Sequence, residues 1–313
     1  MIVLLNLTIF LLGLCVFLLG LFLLKKGLGL LNNAKLKRII YGFTKRPSTG
    51  CLVGTLLTFL VQSSSAVSVI TIGMVDGGIM TFAQALGIIL GTNIGTTITG
   101  QLMAFDLEAW GLPLVVLGIL LMLLTKRMKR FLGLSIVGLG LVFIGMDIMG
   151  TAFNFIKDYP LFYELLHLTN SNSLFAVIFG LISTAIIQSS SALIGIVLVL
   201  AKNQQLDLVA ATAIVLGSNI GTCFTAVLAS IGSTTGGKRV AMAHVVLNVL
   251  GVLFIYPFLV PFTDLMALTS NSLPRQIAHA STIFNILNSL VVLPFANLFA
   301  NFIIWLVPDK DFY

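Results

Sequence analysis

Gln62-Ser63-Ser64-Ser65-Ala66 and, 126 residues later, Gln188-Ser189-Ser190-Ser191-Ala192 are the same run in a very apolar chain. Each is followed at one spacing by a second run: Gly91-Thr92-Asn93-Ile94-Gly95-Thr96 after the first, and Gly217-Ser218-Asn219-Ile220-Gly221-Thr222 after the second. A polar run paired twice with a glycine run marks an internal duplication. Polar, helix-disrupting stretches at corresponding positions of two halves point to the binding site of a membrane carrier.

The composition puts this duplication in a bilayer. Hydrophobic residues make up 58% of the chain, charged residues 9%, and the mean hydropathy is +1.12, which excludes an ordinary soluble domain. Apolar runs at 2–24, 131–151, 240–262 and 276–307 are each long enough to cross ~30 Å of hydrocarbon. Residues 2–24 lack a basic leader and a small-residue cleavage site, so they read as a crossing and not as a signal peptide. The net charge of +7 suggests nucleic acid at first sight, but the basic residues cluster in short segments. Lys25, Lys26, Lys35, Lys37, Arg38, Lys45 and Arg46 form one cluster; Lys126, Arg127, Lys129 and Arg130 a second; Lys238 and Arg239 a third. In a membrane protein such clusters mark the cytoplasmic side. Cys15, Cys51 and Cys223 show no paired spacing, so neither a disulfide framework nor a metal site is expected.

With those clusters inside, the path is fixed. Residues 2–24 cross inward, leaving the N-terminus outside, and 28–46 form an amphipathic helix on the inner surface. Residues 48–75 are interrupted by Gln62–Ser65 into two arms too short to span, which predicts a re-entrant hairpin. Residues 81–105 cross outward with a break at Gly91–Gly95, so that Asp106 and Glu108 emerge outside. Residues 109–125 return, and 131–151 go out. A second hairpin over 174–201 enters from outside, 207–231 cross inward with a break at Gly217–Gly221, 240–262 go out and 276–306 come in. The chain is thus expected to be an all-α polytopic membrane protein with about seven crossings. It divides into repeat 1 (1–125), repeat 2 (126–262) and an extra C-terminal crossing (263–313). The two repeats are inverted, each with a re-entrant hairpin and a broken transmembrane helix, and Gly13 and Gly20 of the first lead helix match Gly138 and Gly145 of the second. Inverted repeats are an architecture of alternating-access carriers.

Irregular backbone at membrane depth is tolerated only where it is buried in protein or lines a cavity. Both tips and both breaks therefore imply a polar pocket near the midplane. The helices that begin after the tips turn their first N–H groups towards it, which favours an anion. Serine hydroxyls add donors. Carbonyls and side-chain oxygens at the Gly-Thr/Ser-Asn-Ile-Gly-Thr runs form neutral oxygen clusters suited to a hard monovalent cation such as sodium. The residues by themselves describe a cation-coupled anion carrier and do not choose the anion.

The paired Gln-Ser-Ser-Ser runs, each followed by Gly-Ser/Thr-Asn-Ile-Gly-Thr, resemble the type II sodium-dependent phosphate cotransporters, over about residues 5–300. Arg239–His244 with Asn248, and Arg275–Ala278 with Asn285, also resemble segments of that family. The resemblance implies secondary active uptake of inorganic phosphate, coupled to sodium as co-substrate, by alternating access, with no other cofactor and no obligatory protein partner. It implies a multi-pass protein of the plasma or inner membrane, and the path traced from the basic clusters leaves the C-terminus in the cytoplasm. The resemblance also implies phosphate binding by Gln62, Ser63, Ser64, Ser65, Gln188, Ser189, Ser190 and Ser191. Sodium-site oxygens are implied for Thr58, Gln62, Ser65, Asn93 and Thr96 in the first repeat, and for Thr184, Gln188, Ser191, Asn219 and Thr222 in the second. The chain departs from vertebrate members in having only about twenty residues (152–173) between its repeats, and Asp106 does not align with the acid that makes some members electrogenic.

Other readings compete with this one. A sodium-coupled carrier of sulfate or a dicarboxylate would use the same helix N-termini. An intramembrane hydrolase would need an activated nucleophile, and no Glu, His or Lys falls inside the arms beside the serines, so no enzyme is expected. A passive anion channel would share the pocket without sodium dependence. Outside the runs, Gly13, Gly20, Gly138 and Gly145 read as helix-packing residues, Asp147 as interfacial, Asp76 as solvated, His244 as a polar packing residue, and His167 and His279 as outer-face residues. Asn285 and Asn288 serve either another helix or the site.

Overall fold

The computed structural model describes residues 2–29, 46–105, 107–124, 127–156 and 159–309, and among them every regular element is a helix. The expected amphipathic helix at 28–46 and the position of Asp106 fall almost entirely outside the described residues. Helix α1 spans Ile2–Gly29. It is followed by α2 (Pro47–Val61), α3 (Ser64–Asp76), α4 (Phe82–Met103) and α5 (Gly111–Leu124). The second set is α6 (Arg127–Ile156), α7 (Pro160–Ser171), α8 (Ser173–Ile187), α9 (Ser190–Lys202), α10 (Leu208–Ala229) and α11 (Thr235–Ile255). The chain closes with α12 (Leu259–Ala267), α13 (Leu273–Val292) and α14 (Ala296–Leu306).

The duplication is visible in the lengths: α2, α3 and α4 have 15, 13 and 22 residues, and so do α8, α9 and α10. The start signals match as well. Thr81 caps α4 with a reciprocal Gln84 box, and Asp207, 126 residues on, caps α10 by accepting from the Ala210 N–H at 2.7 Å. Both hairpins form as the interrupted apolar runs predict.

Helix association in a bilayer gains little from the hydrophobic effect and depends on close packing of small residues. α1 and α6 form the most intimate pair. A Cβ on Gly20 would come 2.6 Å from the Val142 amide nitrogen, and one on Gly138 would come 2.3 Å from that of Leu24. Gly13 faces Met149 and Gly27 faces Ser135, so residue numbers run in opposite senses and the two lead helices are antiparallel. Phe17, fully buried, lies against Gly145 and Gly195 and so ties α1 to α6 and α9.

The glycine runs do not break their helices, which corrects the expectation at 81–105 and 207–231. α4 and α10 are continuous, and Gly91, Gly95, Gly217 and Gly221 are absent from the positive-φ residues. These glycines admit a neighbouring backbone instead. A Cβ on Gly91 would sit 2.0 Å from the Cys51 carbonyl oxygen, and one on Gly217 would sit 1.9 Å from that of Val177. Gly95 lies under Thr58 and Gly221 under Thr184. The adjacent hydroxyls close back on their own helix: Thr92 on Ile89 O at 2.8 Å and Ser218 on Val215 O at 2.7 Å. No backbone carbonyl is freed there. Each hairpin's first arm thus runs parallel to its long helix, α2 with α4 and α8 with α10.

Proline, not glycine, interrupts the long C-terminal segments. Tyr256-Pro257-Phe258 and Leu293-Pro294-Phe295 form 3-10 turns that divide α11 from α12 and α13 from α14. Among the described residues, five helical segments are long and apolar enough to cross a membrane: Leu5–Leu28, Arg130–Ala152, Leu208–Ala229, Thr235–Ala267 and Leu273–Leu306. α4 has the length as well, with 22 residues rising about 33 Å. α5, with 14 residues and about 21 Å, is shorter than the expected crossing at 109–125. Large apolar side chains such as Leu12, Phe22, Leu123, Phe254 and Trp305 remain exposed along these helices, as a lipid-facing surface requires. The chain is therefore a polytopic membrane protein.

Three polar side chains outside the motifs make bonds within or between helices. Asp76 is not simply solvated; it accepts from the Thr234 N–H at 3.1 Å and hydroxyl at 2.6 Å, joining the end of α3 to the cap of α11. Asn288 donates to Leu247 O at 3.2 Å and Asn285 to Ser281 O at 2.8 Å, so neither amide donor is directed at the hairpin tips.

Candidate functional site

The two hairpin tips are built alike, residue by residue. α2 ends where Gln62 takes the left-handed conformation (φ 54°, ψ 32°), and α8 ends where Gln188 does the same (φ 59°, ψ 24°). Non-glycine residues occupy this region at a cost, and only where other contacts hold them. Here the side chains do so. Gln62 Nε2 donates to Phe59 O at 2.7 Å and Gln188 Nε2 to Ala185 O at 2.5 Å. The other amide atom reaches the long helix: the Thr99 hydroxyl donates to Gln62 Oε1, and the Thr225 hydroxyl to Gln188 Oε1 at 2.6 Å. Each glutamine thus fixes its tip against the helix that carries the glycine run.

The next residue starts the second arm. Ser63 Oγ accepts from the Ala66 N–H at 3.2 Å and Ser189 Oγ from the Ala192 N–H at 3.3 Å. These are N-caps, which explains why a Ser-Ser-Ser run restarts a helix after the turn. The remaining first-turn N–H groups of α3 and α9 have no carbonyl within their own helix and carry the positive end of its dipole.

Both tips open on one narrow pocket. Its walls are Gln62, Ser63, Ser64 and Ser65; Gln188, Ser189, Ser190 and Ser191; Thr96, Thr99 and Thr222; and Lys25 from α1. The pocket holds about 20 Å³, room for a water-sized group. All eight residues of the two Gln-Ser-Ser-Ser runs, separated by 126 positions in sequence, meet there. The walls differ in character. α3 and α9 present donors, whereas Thr96 and Thr222 donate to Thr92 O and Ser218 O, both at 2.9 Å, and keep only lone pairs for the cavity. One side therefore suits an anion and the other a cation. Among the described residues, no carboxylate lines the pocket.

Four of the expected sodium-site residues lie off this wall. Thr58 and Thr184 sit one turn below the tips, 1% and 0% exposed, and their hydroxyls have no hydrogen-bond partner among the described residues. Asn93 belongs to a buried tie between helices. Its Nδ2 donates to Asn248 Oδ1 at 2.9 Å and its Oδ1 lies 3.2 Å from His244 Nε2, while Asn248 Nδ2 reaches Cys223 Sγ at 3.2 Å. Asn219 donates to Val215 O at 3.3 Å within its own helix. Three residues were missed from sequence. Thr99 and Thr225 are related by the same 126-residue step as the motifs, a signal available in the sequence. Lys25 was counted with a cytoplasmic cluster.

The halves are not in identical states. Gln62 is 3% exposed, whereas Gln188 is exposed, although their bonds correspond.

Comparison with known proteins gives the family of the chain. The family model described as Na+/Pi-cotransporter matches residues 16–151 and 160–288. The uncharacterized protein YqeW of Bacillus subtilis (strain 168) is 36% identical over 277 residues, covering 88% of this chain and 90% of YqeW. YjbB of Escherichia coli (strain K12), named for inorganic phosphate export, is 25% identical over 244 residues, 77% of this chain and 44% of that protein. Sodium-dependent phosphate transport protein 2A of Oryctolagus cuniculus is 45% identical over 58 residues, 18% of this chain and 9% of that protein. No solved structure matches the chain. The chain belongs to the Na+/Pi-cotransporter family, a family of membrane transporters and not of enzymes.

Proposed function

We propose that the chain is a secondary carrier that couples sodium entry to uptake of inorganic phosphate by alternating access. The observation that carries this reading is the meeting of both Gln-Ser-Ser-Ser tips in one pocket that has donors on one wall and acceptor oxygens on the other. Phosphate is held by the serine hydroxyls and the first-turn N–H groups of α3 and α9. Sodium ions are held by oxygens of Thr96, Thr222 and the two tips, together with the unpartnered hydroxyls of Thr58 and Thr184.

The chain divides into inverted repeats at 1–125 and 126–262, with 263–313 as an added crossing, and α4 and α5 supply the two crossings beyond the five long apolar segments. The antiparallel pairing of α1 with α6 supports the inversion. Unequal exposure of Gln62 and Gln188 supports alternation, because equivalent tips would differ when access is open on one side. The small volume of the pocket means that the tips part for phosphate to enter. The protein sits in the cell membrane with its basic clusters, apart from Lys25, and its C-terminus in the cytoplasm. Phosphate is an anion, and an inside-negative potential opposes its entry; each net positive charge co-moved inward adds ~2.3 kcal/mol of drive per 100 mV.

The test is labelled-phosphate flux into proteoliposomes under an inward sodium gradient, with choline as control. Accumulation above equilibrium, only with sodium, is the expected result, and reversing the gradient reverses net flux. Movement of sulfate or a dicarboxylate in place of phosphate would sink the substrate assignment. Equal flux in choline would make the protein a channel.

A further inference from the structure

Lys25 is the one charged residue among the described residues that line the pocket. It lies near the end of α1, outside the hairpins and long helices that supply every other wall residue. Its neighbour Lys26 takes the ordinary course for a lysine at a helix end: it is exposed, and its Nζ lies 5.7 Å above the Phe22 ring. Lys25 is partly buried and turned the other way, to the serines of both tips.

An ammonium at membrane depth requires a counter-charge, and an intramembrane cation is by default a functional residue whose partner has to be named. Among the described residues, the pocket walls contain no carboxylate that could serve. What they contain besides the ammonium are hydroxyls, amides and two helix N-termini, all of which also favour an anion.

The position is not duplicated. Gly13 and Gly20 of α1 correspond to Gly138 and Gly145 of α6, 125 residues on, and the same step takes Lys25 to Gly150. Gly150 lines a separate pocket with Asp147, Lys202 and Asn203. The two tips supply matched donors, and Lys25 adds a single positive charge from one side.

We propose that Lys25 is a phosphate-binding residue: its ammonium is the fixed counter-charge of the transported anion and draws the anion towards the α1 side of an otherwise paired site. This rests on the carrier reading above. A doubly charged phosphate then has one charge met by the protein itself, and sodium ions balance what remains. Lysine acts here as a point charge on the oxyanion, not as a planar clamp.

The experiment is initial-rate phosphate uptake by the full chain in proteoliposomes under a fixed inward sodium gradient. Lys25→Met is expected to raise the phosphate KM roughly 10- to 100-fold, the range for losing a charge-assisted bond. The maximal rate and the half-saturating sodium concentration should stay within about twofold of wild type, a split that a merely structural lysine would not produce. The second arm uses Lys25→Cys with the exposed Cys15 replaced by Ser. Attaching an aminoethyl group through a disulfide should restore the low KM, and attaching a neutral propyl group of similar length should not. An unchanged KM in Lys25→Met, or equal rescue by the neutral group, overturns the inference while the wild-type carrier stands. Absence of sodium-driven phosphate uptake by wild type overturns both.

Discussion

Replacing Gln62 or Gln188 by alanine, each alone, is expected to lower phosphate transport at least about 100-fold. Three losses combine in either variant. The left-handed backbone at the tip loses the side chain that holds it, at φ 54° or 59°. The amide bond to the preceding turn is lost, and so is the bond from Thr99 or Thr225 that fixes the tip to its long helix. Two hydrogen bonds at about 1 kcal/mol each and a strained backbone of similar cost together approach 3 kcal/mol, which is two decades. The glycine variants separate these causes. Glycine adopts the left-handed region freely, so it removes the strain and keeps the loss of the amide. Gln62→Gly and Gln188→Gly should therefore remain defective by about tenfold or more in sodium-driven uptake. Full activity in both glycine variants would mean that the tips need only a permissive backbone, and the glutamines would lose their place in the site.

The second large effect concerns Thr58 and Thr184. Their hydroxyls are fully buried and, like those of Ser68 and Thr212, have no hydrogen-bond partner among the described residues. Thr58 and Thr184 alone of the four stand at matched positions of the two repeats, one turn before the hairpin tips. A buried unsatisfied hydroxyl costs about 1–3 kcal/mol. Substitution by valine, which keeps the shape, should leave the sodium-free melting temperature unchanged or raised. The expected loss lies in the response to sodium. A ligand that binds only the native state raises its stability by RT ln(1 + [L]/Kd), so an ion at about 100 times its Kd adds about 2.7 kcal/mol. Thr58→Val and Thr184→Val should each lose much of the sodium-induced rise in melting temperature and shift half-saturating sodium upward about tenfold. A variant that melts lower without sodium and keeps the full sodium response would show that the hydroxyl serves packing alone.

The parts of this fold that were legible in the sequence are those in which one residue run contains its own cause. Gln-Ser-Ser-Ser breaks an apolar stretch into arms too short to span and also supplies the N-cap that restarts the helix. The hairpins expected at 48–75 and 174–201 accordingly form as α2–α3 and α8–α9. The glycine runs were misread because Gly-Thr-Asn-Ile-Gly has the same local appearance whether it breaks a helix or admits a neighbour. The deciding contact is with Cys51 and Thr58, or with Val177 and Thr184, some forty residues away. Where the long helices are interrupted, the cause is local after all: Pro257 and Pro294 remove a backbone donor.

The site divides in the same way. The eight residues of the two polar runs converge because the duplication carries them, and Thr99 and Thr225 could have been found by the same 126-residue step. Asn93 could not be placed, because its partners His244 and Asn248 lie on α11, and only tertiary structure shows that its amide is engaged by them. Lys25 was hidden for a different reason. Counting basic residues gives the side of the membrane, but it does not distinguish a lysine that reaches the headgroups from one that turns inward. The pair Lys25 and Lys26 contains one of each.

The measurement that tests the central claim most directly is the number of phosphates bound by the purified full chain, by equilibrium binding of labelled phosphate in sodium and in choline. Two hairpin tips that share one pocket predict one phosphate per chain, bound in sodium and released when choline replaces it. Two phosphates per chain, or equal binding in choline, would contradict a single sodium-linked site built from both repeats.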